Sequence, residues 1–297
     1  MAPMKWIVAT NLRDDCLGAL EFAAWLGEHV REPSANTTTA LAVLRDRAGM
    51  FAGPDPSDML GRVEDATKAF VDRSPASKAV ASVRAELSTD VAATLSKTAG
   101  DEGAALLLGR KAPRENTSLV RLGRVARRTL RQLHSPTVVV PTDWTVASAG
   151  AGPVMVAVDA TEASLAALDF GEALAGAVGR PLLAVQALQG PGGLGWATLP
   201  DADYVALRER HRQEEAAKLV SYLAEHERAS LAVRSEVGAT VPALLEVAQE
   251  VQAALIVCGS RRLTRTERIF TASVGGELAS FAPVPVAVVP PDFGPTR

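Results

Sequence analysis

The sequence predicts an α/β protein built twice: two tandem doubly wound domains, each a five-stranded parallel sheet flanked by helices. Three observations carry this. Short apolar runs alternate with segments of helical periodicity along the whole chain, the pattern of strand-helix-strand units covered on both faces of a parallel sheet. The stretch from Ala253 to Pro290 is an apolar run closed by Gly259, an arginine-rich loop, a helical segment and a valine-rich run; Ala104 to Pro141 follows the same plan. Landmarks recur at nearly constant spacing: Asn11 and Asp159 lie 148 positions apart, Gly109 and Gly259 150, Pro141 and Pro290 149. Offsets this steady mark an internal repeat.

In chain order, Trp6 to Thr10 reads as the first strand, and Leu17, Leu20, Ala24 and Leu26 then recur at helical spacing up to Val30. Thr37 to Leu44 is a second strand, residues 48–57 are an exposed loop rich in Gly, Pro and Asp, and Met59, Val63, Ala66 and Phe70 mark a helix. Lys78 to Leu87 alternates only in part, as a strand nearer a sheet edge does. Ser88, Thr89 and Asp90 offer caps for a helix from Val91 to Thr98. The run from Ala104, its loop, a helix and a strand ending at Pro141 close the first half. On that helix Arg121, Arg124, Arg128 and Arg131 share one face, and Leu122, Val125, Thr129 and Leu133 are expected to face the core.

Residues 143–152 are small and polar and read as a linker between domain one (1–142) and domain two (153–297). The second half repeats the order: strand 153–158, helix 162–178, strand 181–188, a Gly-Pro loop at 189–200, helix 201–226, strand 230–237, helix 240–251, strand 253–258, helix 272–281 and strand 284–289.

Composition narrows the function. The 297 residues suit two domains of about 150 residues, each large enough for its own core. A net charge of −3 argues against general affinity for nucleic acid or membranes. Cys16 and Cys258 are too few for a disulfide framework and read as buried thiols, and the 4 histidines show no metal-ligand spacing. The first strand starts at Lys5, leaving no room for a signal peptide, and no apolar run nears the roughly 18 residues that cross a bilayer. The cytoplasm is the expected compartment. With no nucleophile elbow and no phosphate-binding P-loop, no catalytic residue is expected, and ATP hydrolysis would be weak and incidental.

A buried strand that ends in glycine and leads to a helix start points backbone N–H groups and the helix dipole at one spot. In each half that crevice is expected outside the carboxyl ends of strands one and four. In the second half the strand end brings Gly259, Ser260 and Arg261 to that spot. In the first half Gly109 ends the strand, and Arg110, Lys111 and Arg124 gather around Gly123; that basic cluster has two readings, a solvated face and an anion site at the helix start.

An Asp after strand one, a G-x2-G-x9-G-[ST] loop after strand four and a closing V-x-V-V-P strand resemble the universal stress protein family. Here Leu255 to Arg261 resembles the family's strand-four ending, and Pro283 to Pro290 its last strand; the whole chain resembles a tandem member. The resemblance implies a sheet order 3-2-1-4-5, an edge strand five used for pairing, an Asp associated with an adenine nucleotide such as ATP, and a glycine loop with its phosphates. Carried over by position, the resemblance implies Asp159, Arg262, Ala272 and Ser273 as further nucleotide-site candidates of the second half beside Gly259, Ser260 and Arg261. The chain departs from the pattern. The second and third glycines of the second half fall at Arg262 and Ala272; in the first half Asn11 replaces the Asp, Ala112 a glycine, and Arg124 follows Gly123.

Two functions follow from the resemblance and these departures. One is a stress-response regulatory or interaction protein whose nucleotide loops have degenerated. The other is an adenine-nucleotide-binding stress protein using the second-half crevice around Asp159 and Gly259. The apolar closing strands Thr137 to Val140 and Val286 to Val289 are expected to pair within the chain as a pseudo-dimer, clasping two otherwise separate sheets. Homodimerisation of whole chains is left open.

Overall fold

A computed structural model of the chain describes residues 4–31, 36–46, 56–111, 122–190, 201–260 and 273–294. The first half runs β1 (Met4–Thr10), α1 (Leu17–His29), β2 (Asn36–Arg45), α2 (Pro56–Asp72), β3 (Val80–Ser88), α3 (Val91–Asp101), β4 (Ala104–Gly109), α4 (Arg124–Arg131) and β5 (Thr137–Val140). The second runs β6 (Val154–Ala157), α5 (Glu162–Val178), β7 (Leu182–Leu188), α6 (Asp201–Glu225), β8 (Ala232–Val237), α7 (Thr240–Glu250), β9 (Leu255–Gly259), α8 (Val274–Phe281) and β10 (Val286–Val289). Several of the expected boundaries shift by a few residues, and two of the shifts have a local cause. Pro56 and Ser57 open α2 instead of ending the loop, since proline's fixed φ suits a first helical turn. Lys78 closes a 3-10 turn before β3.

The strand order is β3-β2-β1-β4-β5-β10-β9-β6-β7-β8. Each half is parallel within itself and follows the expected 3-2-1-4-5 winding. Where the halves meet, β5 and β10 pair antiparallel, with Val139 opposite Val286 and Val138 opposite Ala287. The expected pairing of the closing strands is present, and it joins the two five-stranded halves, so the sheets are not separate. An edge-to-edge pairing that satisfies the N–H and C=O groups of both strands is a ladder like any other, and it makes one ten-stranded sheet.

Side chains alternate between two covered faces, and on each face the buried cluster mixes residues of both halves. On one, Trp6 of β1 stands edge-on to Phe22 of α1 at 6.5 Å and to Phe170 of α5 at 6.3 Å. On the other, Leu106 and Leu122 share a cluster with Ile256, Leu278 and Val288. The segment read as a polar linker is packed rather than slack. Trp144 is buried edge-on to Phe22 at 5.5 Å, and the Val146 N–H donates to the Glu21 carboxylate at 3.0 Å. One large aromatic ring in a run of small residues is enough to pin it, because burying that ring is worth a few kcal/mol, ~2–3 by side-chain transfer.

The repeat extends to unusual backbone. Leu12 has φ 58° and Ala160 φ 54°, at equivalent positions after β1 and β6. Gly103 and Gln252, before β4 and β9, have φ 61° and 49°. On α4 the expected core face holds except at one position. Leu122 and Thr129 are buried and Leu133 packs against the same cluster, while Val125 is exposed and Ala126 is buried in its place. The helix begins only at Arg124, so Leu122 reaches the core from the segment before it and does not set the helical face.

Candidate functional site

The carboxyl ends of β6 and β9 and the first turn of α8 enclose a crevice of about 510 Å³. Its apolar lining comes from Ala157, Val158, Val185, Ala187 and Leu244, and its polar lining from Asp159, Gln189, Thr240, Ser260 and Ser273. A mainly apolar cleft of a few hundred Å³ with a few convergent polar groups is what a small-molecule site requires.

Asp159 is held by its own turn. Its Oδ1 accepts from the Thr161 hydroxyl at 2.6 Å and from the Ser164 hydroxyl at 2.7 Å, and its backbone N–H donates to Ser164 Oγ at 2.9 Å. Thr161 is the residue preceding α5 and Ser164 lies in the first turn, so the carboxylate sits where the helix dipole favours a negative charge. Gly259 is required by packing. A Cβ there would lie 2.1 Å from the carbonyl oxygen of Ala163, so strand end and helix start touch backbone to backbone. Gly109 repeats the arrangement, with a Cβ meeting the Asp15 carbonyl oxygen at 1.9 Å.

Ser273 caps α8. Its Oγ accepts from the Gly276 N–H at 3.1 Å, as a serine at an N-cap does. Gly275 packs tightly, with its missing Cβ 3.2 Å from Cys258 Sγ and 3.1 Å from Val288. The Cys258 thiol forms part of the crevice lining, and burial pushes its pKa up to about 12. Glu277 adds an acidic group to the same first turn.

The structure brings Asp159, Gly259, Ser260 and Ser273 to one crevice, while Arg261, Arg262 and Ala272 lie outside the described residues. Thr240, Leu244, Gln189 and the Gly275-Gly276 pair went unpredicted. The glycine pair stands beside Ser273 in the sequence and was legible as a helix start that permits close approach. In the first half Gly123 precedes α4 with open space around it, and Arg124 is exposed. Arg128 pairs with Asp90 at 2.6 Å and Arg127 donates to the Leu122 carbonyl at 3.1 Å, so part of the basic face is engaged within its own half. Arg110 is buried and donates to the carbonyls of Ser280 and Ala282, across the boundary between the halves.

Residues 151–290 match the model of the universal stress protein family. This second half is similar to the universal stress protein family. Solved structures carry the likeness across both halves. A universal stress protein from Archaeoglobus fulgidus DSM 4304 is 17% identical with a TM-score of 0.59, covering 97% of this chain and 98% of that one. A putative universal stress protein from Pseudomonas aeruginosa UCBPP-PA14 is 15% identical with a TM-score of 0.61, covering 98% and 94%. A functionally unknown protein from Pseudomonas aeruginosa PAO1 is 14% identical with a TM-score of 0.63, also covering 98% and 94%. At such identities these solved structures share the two-part fold with this chain, and the likeness speaks to fold alone. No curated protein matches the chain. Among the described residues no helix is long and apolar enough to cross a membrane.

Proposed function

We propose that this chain is a universal stress protein, a stress-response regulator that takes an adenine nucleotide, ATP or a relative, in the second-half crevice. The domains are 1–142 and 153–297 with the linker at 143–152, and the first half serves as a partner fold. The observation that carries the reading is the crevice of about 510 Å³ bounded by Asp159, Gly259, Ser260 and the capped start of α8. Its apolar walls suit a purine, the Asp159 carboxylate suits ribose hydroxyls or an exocyclic amine, and first-turn N–H groups of a helix have no intrahelical partner and suit phosphate oxygens. By sequence, Arg262 stands where the family pattern has its second glycine, and a guanidinium is a fork able to take a phosphate. The role is binding, with no hydrolysis in the proposal.

A second reading has an observation of its own. Asp159 and Glu277 are both acidic and close to the place a phosphate would take, which favours an interaction protein that works without nucleotide, through its joined halves or a homodimer. Calorimetry and thermal shift with ATP, ADP and AMP, with and without Mg²⁺, decide between them. Under the first reading a nucleotide at a hundredfold its Kd raises stability by about 2.7 kcal/mol, and Asp159→Ala loses most of that gain. No response to any nucleotide leaves the second reading.

A further inference from the structure

The first half reaches into the second-half crevice. Leu130 of α4 lines it opposite the first turn of α8. From the end of β4, Arg110 sends its guanidinium across the boundary, where Nη1 donates to the carbonyls of Ser280 at 3.1 Å and Ala282 at 2.7 Å. Those carbonyls stand at the C-terminal end of α8, the negative end of its dipole, which is where a cation is best compensated. Only 9% of Arg110 is exposed; burial lowers its pKa from the ordinary arginine value, and Asp143 nearby opposes that.

The equivalent residue of the second half is Ser260. Both main chains do the same thing, the Arg110 N–H donating to the Val140 carbonyl at 2.7 Å and the Ser260 N–H to the Val289 carbonyl at 2.7 Å. Their side chains part company. Ser260 lines its own crevice, whereas Arg110 leaves its half and fastens the helix that walls the other one. With 8 residues α8 is about 12 Å long, and so short a helix moves as one body. Holding its C-terminal end sets where Ser273, Gly275 and Gly276 stand at the other.

We propose that Arg110 is a positioning residue lent by the first half to the second-half crevice, so that the contact between the halves sets ligand affinity there. This rests on reading the crevice as a nucleotide site. The test uses the full chain carrying Arg110→Met or Arg110→Lys. Hydrogen exchange is followed without ligand at the Gly276 and Glu277 amides, which are bonded to Ser273 Oγ at 3.1 Å and Ser273 O at 3.0 Å, and affinity for Mg-ATP is measured by calorimetry. Arg110→Met is expected to speed exchange at those two amides about tenfold, with α5 and β8 changed less than about twofold, and to weaken Mg-ATP about tenfold. Arg110→Lys keeps the charge and a donor and is expected to restore both to within about threefold of the parent.

Exchange that rises evenly through the second half, exchange that does not change, or a Met variant that binds Mg-ATP as the parent does would each overturn the proposal. If the parent itself binds no ATP, the nucleotide reading falls, and the exchange pattern alone still decides whether Arg110 fixes the position of α8.

Discussion

The turns after β1 and β6 share a backbone and differ in chemistry. Both carry a left-handed residue, Leu12 and Ala160, and both press a strand-end glycine, Gly109 and Gly259, against the start of a helix. After β1 the side chains close on themselves. Asn11 Oδ1 accepts from the Arg13 N–H at 3.0 Å, Thr10 Oγ1 from the Leu12 N–H at 3.1 Å, and Cys16 Sγ donates to the Arg13 carbonyl at 2.9 Å. After β6, Val158 stands in place of Thr10, Asp159 of Asn11 and Ser164 of Cys16, and the result is a carboxylate steadied by two hydroxyls at the edge of a crevice. A duplicated backbone thus keeps its steric demands, while the polar atoms that a ligand would meet diverge.

If the steric demand is common to both halves, the largest effect should be the same in each. Gly259→Ala and Gly109→Ala both drive a methyl into a backbone carbonyl, and each is expected to cost about 2–3 kcal/mol in urea unfolding. A loss at one site only would break the equivalence of the two turns. The next effect should separate the halves. Ser164→Ala removes a donor to the Asp159 carboxylate and the acceptor of its N–H, and is expected to cost about 1–2 kcal/mol. Cys16→Ala loses a weak thiol donor and is expected to cost about 1 kcal/mol or less by thermal unfolding. Equal losses would mean that the hydroxyl network adds nothing to the second turn.

The smallest effect concerns pH. Cys258 stands where the first half has Leu108, and its buried thiol has a pKa raised from 9.0 to about 12. The folded chain therefore binds that proton more tightly than the unfolded one. Its contribution is complete below pH 9.0 and is lost as pH rises towards about 12. Cys258→Val should flatten this alkaline limb relative to the parent in a pH series of thermal midpoints. Superimposable curves would show that the thiol's burial is not linked to stability.

Much of this was written locally. The alternation of apolar runs with helical periods, the constant offsets and the paired glycines are properties of short segments, and they set two doubly wound five-stranded units; the strand order within each was implied by the family resemblance. Gly259 and Ser260 could be named because they belong to a strand end, and Asp159 and Ser273 because they fall on the family pattern; topology then carries strand ends and helix starts to one crevice. The rest depended on contacts between distant segments. A run of small residues read as a free linker until Trp144 was seen buried, and Val125 was placed in the core where Ala126 stands, because the starting residue of α4, not its composition, sets the phase.

Arg110 marks the boundary most sharply. Within its own segment it is one cation among several beside a glycine, and the obvious use is an anion. Its observed partner, the Ser280 carbonyl, is 170 positions away, and it is within reach only because β5 and β10 join the two sheets into one. Local sequence determined which elements form and in what order, because periodicity and steric need act over a few residues. Where a charge ends up was decided by the packing of whole halves, because a buried cation goes to whichever carbonyls or carboxylates the assembled fold leaves within its reach.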